Sequence, residues 1–242
     1  MRANLEFAAV DQPLKTVLVS SADTGEGKFT VAPNLAVSLA QIGKLVILID
    51  ADMRRPNVHE ILNIRNENGL SDIFRGRTIL QSAMRIWNNE KVAVITGGKL
   101  PPNPAELLGS AKMDEILESL KEVADLVIID GPPFMVADAA LLSAKVDGVL
   151  LVVRPGYTRE DAVKAMMEQV EHTRARVLGV VLNGIPGKLS GYYGGQLHLA
   201  SYYHGADQYL GEVSDKKTAN DKLRRTAGSP RSSRRRATAS QR

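Results

Sequence analysis

Two glycines and a lysine follow the first apolar run of this 242-residue chain, and their types suit the binding of a phosphate group. The run TVLVS leads into SSADTGEGKFT, where Gly25 and Gly27 let the backbone turn its N–H groups inward and Lys28 opens a helix. Backbone amides, a helix N-terminus and an ammonium are donors that cradle phosphates. The pattern G-x-x-x-x-G-K-[ST] is half met, because Ala22 replaces the first glycine and Phe29 stands where a magnesium-binding hydroxyl belongs.

Carboxylates follow two further apolar runs and suit a magnesium ion. Asp50 and Asp52 lie at and just after the end of KLVILID, and Asp130 ends DLVIID. Oxygen ligands of this kind are those that magnesium prefers, and an acid after a later strand is its usual partner in phosphate-binding proteins. Arg54 and Arg55 come next and suit either phosphate oxygens or an internal pairing with an acid. We predict that the three run ends converge on one nucleotide site.

The elements that position these residues are short β-branched runs alternating with segments of helical spacing. The runs lie at 16–20, 44–50, 91–96, 125–130, 148–153 and 176–183, and helical spacing appears at 34–42, 104–123 and 159–173. The runs are apolar on both faces, which is typical of parallel strands that helices cover on each side. We predict a doubly wound, mostly parallel α/β sheet, in which ligands bind at the carboxyl ends of the strands.

The last quarter of the chain has a different composition. Residues 186–211 are rich in glycine and contain five of the six tyrosines of the chain. Their apolar residues fit neither a helical nor a strand period. The five tyrosines are Tyr192, Tyr193, Tyr202, Tyr203 and Tyr209. Residues 212–242 are rich in Lys and Arg and poor in apolar side chains, so they are predicted to form a disordered tail. The predicted organisation is a folded domain over 1–185, a Gly/Tyr-rich segment over 186–211 and a basic tail over 212–242.

Charge and cysteine content exclude several functions. The net charge of +4 divides into +9 over residues 216–242 and −5 over the rest, so the body is acidic and no specific nucleic-acid binding is expected. The chain has no cysteine, which excludes disulfides, thiolate zinc sites and iron–sulfur clusters held by this chain alone. No apolar run approaches the roughly 20 residues of a membrane-spanning helix. A cytoplasmic protein is expected, at the inner face of the plasma membrane if a partner holds it there.

The motifs together resemble a known family. SSADTGEGK, VILIDADMRRP, LPPNPAELLGS, DLVIIDGPP and GVLLVVRPG are similar to segments of the catalytic domain of bacterial tyrosine kinases, the autokinases that govern capsule and exopolysaccharide export. The resemblance implies a P-loop NTPase fold of the deviant-Walker, MinD/ParA-like type, with ATP and Mg²⁺ as cofactors. It further implies that the tyrosine cluster of the same or a neighbouring subunit accepts phosphate. It also implies a homo-oligomer and a membrane activator of the polysaccharide co-polymerase type.

The resemblance assigns roles to individual residues. Asp50 and Asp130 would bind magnesium, Asp52 would accept the tyrosine proton, and Asn183 would bind adenine. The residues implied in nucleotide binding are Asp23, Thr24, Gly25, Glu26, Gly27, Lys28, Phe29, Thr30, Arg54, Arg154 and Asn183. Among them Lys28 would hold the β- and γ-phosphates, Thr30 would contact the α-phosphate, and Arg154, with Pro155, would border the base. The predicted acceptors are the five tyrosines of residues 186–211.

Three departures from the family pattern accompany these roles. Phe29 offers no oxygen to magnesium, and Pro33 removes an N–H that the carbonyl of Phe29 would accept inside the same helix. We therefore expect weak or lost kinase activity with nucleotide binding retained. The family's E-x-x-R-x-x-R element is matched only at its last arginine, by Arg2. The expectation is either a fragment of a longer protein or an incomplete assembly surface.

Two other functions stay open at this point. A partition-type or septum-site ATPase shares the fold, but Asp23 stands where those proteins carry a second lysine. A nucleotide-binding regulator that transfers no phosphate fits Phe29 and Pro33.

Overall fold

The protein is described by a computed structural model that covers residues 1, 5, 8, 13–87 and 91–185. The predictions for residues 186–211 and 212–242 lie outside the described residues. The strands are Thr16–Ser21 (β1), Val46–Asp50 (β2), Arg85–Ile86 (β3), Val92–Ile95 (β4), Leu126–Asp130 (β5), Gly148–Val153 (β6) and Val177–Leu182 (β7). The helices are Lys28–Ala40 (α1), Val58–Ile61 (α2), Leu70–Phe74 (α3), Leu80–Ala83 (α4), Pro104–Gly109 (α5), Ala111–Val123 (α6), Ala137–Ser143 (α7) and Glu160–Thr173 (α8).

The described strands form one sheet in the order β3-β4-β2-β5-β1-β6-β7. Every neighbouring pair is parallel except β3 and β4, which are antiparallel. Strand β1 lies inside the sheet, with β5, β2, β4 and β3 on one side and β6 and β7 on the other. This is the doubly wound arrangement predicted from the alternation of runs and helices. In this sheet β2 lies beside β5, with Asp50 paired in register with Asp130. The two carboxylates therefore start from neighbouring positions at the same edge.

The core has two layers because successive side chains of a strand point to opposite faces. In β1, Leu18 belongs to one apolar cluster, which includes α6 and α8, whereas Val17 and Val19 belong to the other, which includes α1. The strands β1, β2 and β5 are buried at every position. Helices thus cover the centre of the sheet on both sides, as the unbroken apolar runs predict.

The edge strand β7 differs from this expectation. Val177, Val180 and Leu182 are all exposed by more than a third, although their run is as apolar as the central ones. The pairing of β7 with β6 shifts register beside Gly179, whose φ of +153° marks the irregularity. The prediction of a strand at β7 is confirmed. The prediction that both faces of this strand are covered is wrong, as far as the described residues show.

Two helical predictions need correction. The segment 104–123 is not one helix, because Ser110 adopts an extended conformation (φ −71°, ψ 159°) that ends α5 and begins α6. The first long helix begins at Lys28, as predicted, and continues through Pro33, but it ends at Ala40 rather than at residue 42. The side chain of Asn34 donates to the carbonyl of Thr30 (2.7 Å) on the exposed side of the same turn. The proline is thus accommodated within the helix.

Candidate active site

The phosphate-binding loop (P-loop, residues 22–28) joins β1 to α1. Gly25 and Gly27 adopt φ angles of +78° and +95°, a region that side chains disfavour. Space is also restricted at Gly27, where a Cβ would lie 1.9 Å from Nδ2 of Asn183. Glycine is therefore required at position 27 for two reasons, the turn and the contact with the end of β7.

Lys28 opens α1 with its ammonium turned into the protein. It is 7% exposed, and Nζ donates to Oγ of Ser21 (2.8 Å) and to the carbonyl of Asp23 (3.3 Å). Burial lowers the pKa of Lys28, while the negative charges of Asp130 and Asp52 oppose that shift. The lysine thus places a positive charge beside the carboxylates that follow β2 and β5.

Glu26 fixes the shape of the P-loop from within. Its side chain is fully buried, and its carboxylate accepts from the backbone N–H of Asp23 (3.0 Å) and from the hydroxyl of Thr158 (2.5 Å). Its backbone carbonyl accepts from Nδ2 of Asn183 (2.9 Å). The predicted nucleotide residues Glu26 and Asn183 therefore lie together, and here they bind each other and the loop after β6.

Arg154 and Tyr157 contact the P-loop at its apex. Nη1 of Arg154 donates to the carbonyl of Gly25 (3.3 Å), and the guanidinium lies 5.1 Å from the centroid of the Tyr157 ring. The backbone N–H of Arg154 donates to the Thr158 hydroxyl (2.9 Å), so the loop after β6 is closed on itself. The predicted base-side residues Arg154 and Asn183 thus approach the P-loop from the ends of β6 and β7.

Asp50 and Asp130 are buried at the carboxyl ends of β2 and β5. Oδ2 of Asp50 accepts from the backbone N–H groups of Asn57 and Val58 (3.0 Å each), whereas Oδ1 of Asp50 and Oδ1 of Asp130 have no hydrogen-bond partner. Burial raises the pKa of Asp50 to about 7. Burial, reinforced by the charge of Asp50, raises the pKa of Asp130 well above its ordinary value. Two unpaired carboxylate oxygens in a buried position are costly unless a cation binds them.

Asp52 and the two arginines lie on the loop after β2. Burial raises the pKa of Asp52, and Oδ1 of this side chain accepts from the backbone N–H of Arg55 (3.1 Å). Arg54 forms a bidentate ion pair with Asp138 at the start of α7. Nε of Arg54 donates to Oδ2 of Asp138 and Nη2 donates to Oδ1, each at 2.9 Å. Asp138 is 1% exposed, so the pair neutralises a buried carboxylate. Of the two uses open to Arg54, the structure places it in the internal pairing.

Phe29 and Thr30 lie on the exposed side of the first turn of α1. Phe29 is 39% exposed, and Thr30 is also exposed. The ring of Phe29 is thus not part of the buried core beneath the P-loop. Asp23 and Thr24 remain partly buried in the loop, where Oδ1 of Asp23 accepts from the N–H of Thr24 (2.5 Å).

The donor set fits a magnesium ion of the kind that binds one or two carboxylates and completes its shell with water and phosphate. Over residues 13–87 and 91–185, no group of three or more His, Cys, Asp or Glu could hold a metal by itself. Asp50 and Asp130, with their unpartnered oxygens, match the smaller protein contribution that magnesium needs. Among the described helices, none is long and apolar enough to cross a membrane.

Sequence reasoning missed three partners of the site. Thr158 binds Glu26, Asp138 binds Arg54, and Tyr157 contacts the P-loop. Each lies in a segment whose local sequence carries no phosphate or metal motif, and each is brought in by the sheet order. The one available signal was position, since Tyr157 and Thr158 follow β6 at the edge where ligands bind.

Comparison with known families first defines the class. The family described as ParA, NUBPL iron-transfer P-loop NTPase, matches residues 13–187. The chain is therefore a P-loop NTPase, which confirms the predicted fold. A septum site-determining MinD from Pyrococcus horikoshii, complexed with Mg-ADP, superposes with a TM-score of 0.61 at 24% identity over 73% of this chain and 75% of its own, and this likeness shows the fold alone.

Closer relatives define the family. Tyrosine-protein kinase YwqD of Bacillus subtilis is 42% identical over an alignment of 200 residues, which covers 80% of this chain and 84% of YwqD. The putative tyrosine-protein kinase CapB of Staphylococcus aureus is 33% identical over 86% of this chain and 88% of its own. The kinase domain of Escherichia coli tyrosine kinase ETK superposes with a TM-score of 0.72 at 35% identity, covering 76% of this chain and 72% of that domain. The chain belongs to the bacterial tyrosine-protein kinases, as its motifs predict.

Proposed function

We propose that this chain is an ATP- and Mg²⁺-dependent tyrosine autokinase that regulates capsule or exopolysaccharide export. The observation that carries the proposal is the pair of buried, unpartnered oxygens of Asp50 and Asp130 beside the ammonium of Lys28. A cation between carboxylates and a lysine at the end of a P-loop suits the transfer of a phosphoryl group. The membership of the chain in the tyrosine-kinase family supports tyrosine as the acceptor.

The proposed division of roles follows from position and charge. Lys28 and the amides of the P-loop hold the β- and γ-phosphates, and Thr30 contacts the α-phosphate. Asp50 and Asp130 hold magnesium, which neutralises charge on the phosphate oxygens when it is bound. Because phosphoryl transfer passes through a loose transition state, these residues act by positioning and by charge stabilisation.

Asp52 is the proposed acceptor of the tyrosine proton. A tyrosine hydroxyl has a pKa of about 10, so a carboxylate in hydrogen-bond reach assists its late deprotonation. Burial raises the pKa of Asp52. The shift brings that pKa closer to the value that suits a general base. The N–H of Arg55 and the Arg54–Asp138 ion pair hold the loop that carries Asp52.

The nucleotide base is proposed to lie against the ends of β6 and β7. Asn183 would bind adenine, and Arg154 with Pro155 would border it. The present contacts of Arg154 with Gly25 and of Asn183 with Glu26 keep both side chains at the P-loop. The proposed acceptors remain Tyr192, Tyr193, Tyr202, Tyr203 and Tyr209, of the same chain or of a neighbouring subunit.

The proposed setting is the cytoplasmic face of the plasma membrane. A membrane activator of the polysaccharide co-polymerase type and a homo-oligomer are the expected partners. One solved relative, the chimerical protein CapA2B2, is 38% identical with a TM-score of 0.74 over 76% of this chain and 82% of its own.

A second candidate function is a nucleotide-binding regulator that transfers no phosphate, and Phe29 favours it. Purified chain is incubated with Mg²⁺ and ATP labelled at the γ-phosphate, beside Lys28→Met as the inactive control. We expect labelled phosphotyrosine at a low rate, raised about tenfold by Phe29→Ser, which returns a hydroxyl ligand to the ion.

The double variant Phe29→Ser, Pro33→Ala tests whether the two departures act together. Equal rates in the wild type and the double variant would show that neither departure weakens the kinase. Absence of label from both, with labelled ADP still bound, would instead establish the regulator.

A further inference from the structure

Tyr157 lies in the turn between β6 and α8 and is the one tyrosine among the residues that the structure describes. Its side chain is 53% exposed. The preceding residue, Gly156, has a φ of +76°, and a Cβ built on it would meet no atom within 4 Å. The turn therefore projects into open space, where another molecule can reach the ring.

The hydroxyl end of the same ring touches the P-loop. A Cβ built on Gly25 would lie 2.7 Å from Oη of Tyr157 and 3.2 Å from Cζ, so the hydroxyl occupies the space beside the apex of the loop. Arg154 contacts both, since its guanidinium lies over the ring and donates to the carbonyl of Gly25. A tyrosine that is half exposed is thus joined through two contacts to the P-loop.

We propose that Tyr157 is a further phosphoacceptor of this kinase, modified by a second copy of the chain, and that the modification weakens nucleotide binding by the chain that carries it. The inference rests on the proposed autokinase function. In the transfer, Oη of Tyr157 forms a bond to the γ-phosphorus of ATP bound to the second copy. The bond from that phosphorus to the β–γ bridging oxygen breaks, ADP leaves, and the phenolic proton passes to Asp52 of that copy.

The consequence for nucleotide binding follows from space and charge. The added phosphate has no room between Oη and Gly25, so the ring must move away from the P-loop. The phosphate carries a charge of about −2 and attracts the nearby guanidinium of Arg154, which then leaves the carbonyl of Gly25. The same negative charge repels the phosphates of an incoming nucleotide. Each effect loosens the site, so the modification acts as a brake on the enzyme.

The acceptor is tested in a chain where Tyr157 is the only tyrosine, because the other five of the six have been changed to Phe. The five substitutions are Tyr192→Phe, Tyr193→Phe, Tyr202→Phe, Tyr203→Phe and Tyr209→Phe. With Mg²⁺ and γ-labelled ATP we expect at most about one phosphate per chain. We expect the label to be lost with a further Tyr157→Phe or Lys28→Met, and to return to the Lys28→Met chain when a chain with all six tyrosines changed to Phe is added.

The outcomes separate the inference from the proposed function. Label in the wild type but none in the five-Phe chain would overturn the assignment of Tyr157 and leave the autokinase standing. No label in the wild type would overturn the autokinase and the assignment together. Absence of label from the five-Phe chain that also carries Lys28→Met, when it is mixed with a chain in which all six tyrosines are changed to Phe, would overturn the second copy as the donor.

The brake is tested without kinase activity. Tyr157→Glu carries a negative charge and Tyr157→Gln has the same shape without it, so the pair isolates the effect of charge beside the P-loop. We expect the Kd for fluorescently labelled ADP to be at least about fivefold higher for Glu than for Gln. Equal Kd values in the two variants would overturn the brake.

Discussion

The proposed nucleotide site has two ends that differ in their hydrogen bonding, a base side around Glu26 and a metal side around Asp50 and Asp130. On the base side, both carboxylate oxygens and the backbone carbonyl of Glu26 accept hydrogen bonds, from Asp23, Thr158 and Asn183. On the metal side, Asp50 and Asp130 each keep one buried oxygen without a partner. The base side has its shape fixed by contacts within the protein, whereas in the proposed function a magnesium ion would complete the metal side.

The difference separates the residues that set the shape of the site from those that do its chemistry. A satisfied buried network stabilises one conformation of the P-loop, because any movement leaves a polar group unpaired. Unpaired buried carboxylates cost stability and are maintained where a ligand or a reaction needs them. Substitutions on the metal side should therefore change activity most, and substitutions on the base side should change nucleotide affinity and folding.

The largest effect is expected at the metal side. Asp130→Asn removes a negative charge that the ion needs, and we expect the rate of tyrosine phosphorylation to fall by about 10²–10³-fold. The matched control is Asp125→Asn, at the opposite end of the same strand, where the side chain accepts from the N–H of Leu45 (2.8 Å) and asparagine keeps an oxygen for that bond. Initial rates at saturating Mg²⁺ compare the variants, and equal losses in both would contradict the distinction between the two ends.

The next effect tests the tight fit at the base side. Gly27→Ala places a methyl group against Nδ2 of Asn183 at a left-handed φ, whereas Gly76→Ala is also at a left-handed φ (+67°) but with no atom within 4 Å. We expect the free energy of unfolding to fall by about 3 kcal/mol in the first and about 1 kcal/mol in the second. Urea unfolding measures both, and equal losses would show that the contact with Asn183 adds nothing to the strain of the backbone.

The third prediction is that a substitution at the metal side, Asp50→Asn, increases the free energy of unfolding. The pKa of Asp50 is about 7 in the folded protein against 3.8 as its ordinary value, so its ionisation opposes folding as pH rises through that interval. Without magnesium, Asp50→Asn should unfold at higher urea than the wild type at pH 8, by on the order of 2 kcal/mol, with the gain shrinking toward pH 4. The measurement is urea unfolding in EDTA across pH. A variant less stable than the wild type at pH 8 would refute the prediction.

The smallest effect concerns one hydroxyl. Thr158→Val removes the donor to the buried carboxylate of Glu26, and Thr158→Ser keeps it. We expect the Val variant to bind ADP about fivefold more weakly, equivalent to about 1 kcal/mol, and the Ser variant to bind like the wild type. Calorimetric titration separates the two, and indistinguishable affinities would mean that the hydroxyl does not hold the P-loop.

Much of the fold could be predicted because its strands carry their own signal. The six apolar runs become β1, β2, β4, β5, β6 and β7, with ends that differ by at most two residues. The short strand β3 could not be predicted because its two residues, Arg85 and Ile86, are too few to show a periodicity. The break at Ser110 could not be predicted because serine tolerates helical and extended conformations alike. Which of the two conformations Ser110 adopts depends on how α5 and α6 pack.

The candidate site was predictable where a motif lies on one segment and unpredictable where it is shared between segments. Gly25, Gly27 and Lys28 lie together in the sequence, and the structure brings Asp50 and Asp130 to neighbouring strands as expected. The burial of Glu26 could not be read from its neighbours, because its partner Thr158 comes from a distant loop. The choice of Arg54 between phosphate and acid likewise depends on Asp138, which only the fold places beside it.

The reach of the Glu26 contacts has a consequence for how the protein is made. Glu26 binds Thr158 across a separation of 132 residues and Asn183 across 157, so the P-loop is held by partners that the ribosome adds long after it. A growing chain that ends before β7 therefore has its lysine, its glycines and Thr158, but it lacks the contact of Asn183 with the carbonyl of Glu26. Competence to hold nucleotide should arise late in synthesis, in one step, when the last strand joins the sheet.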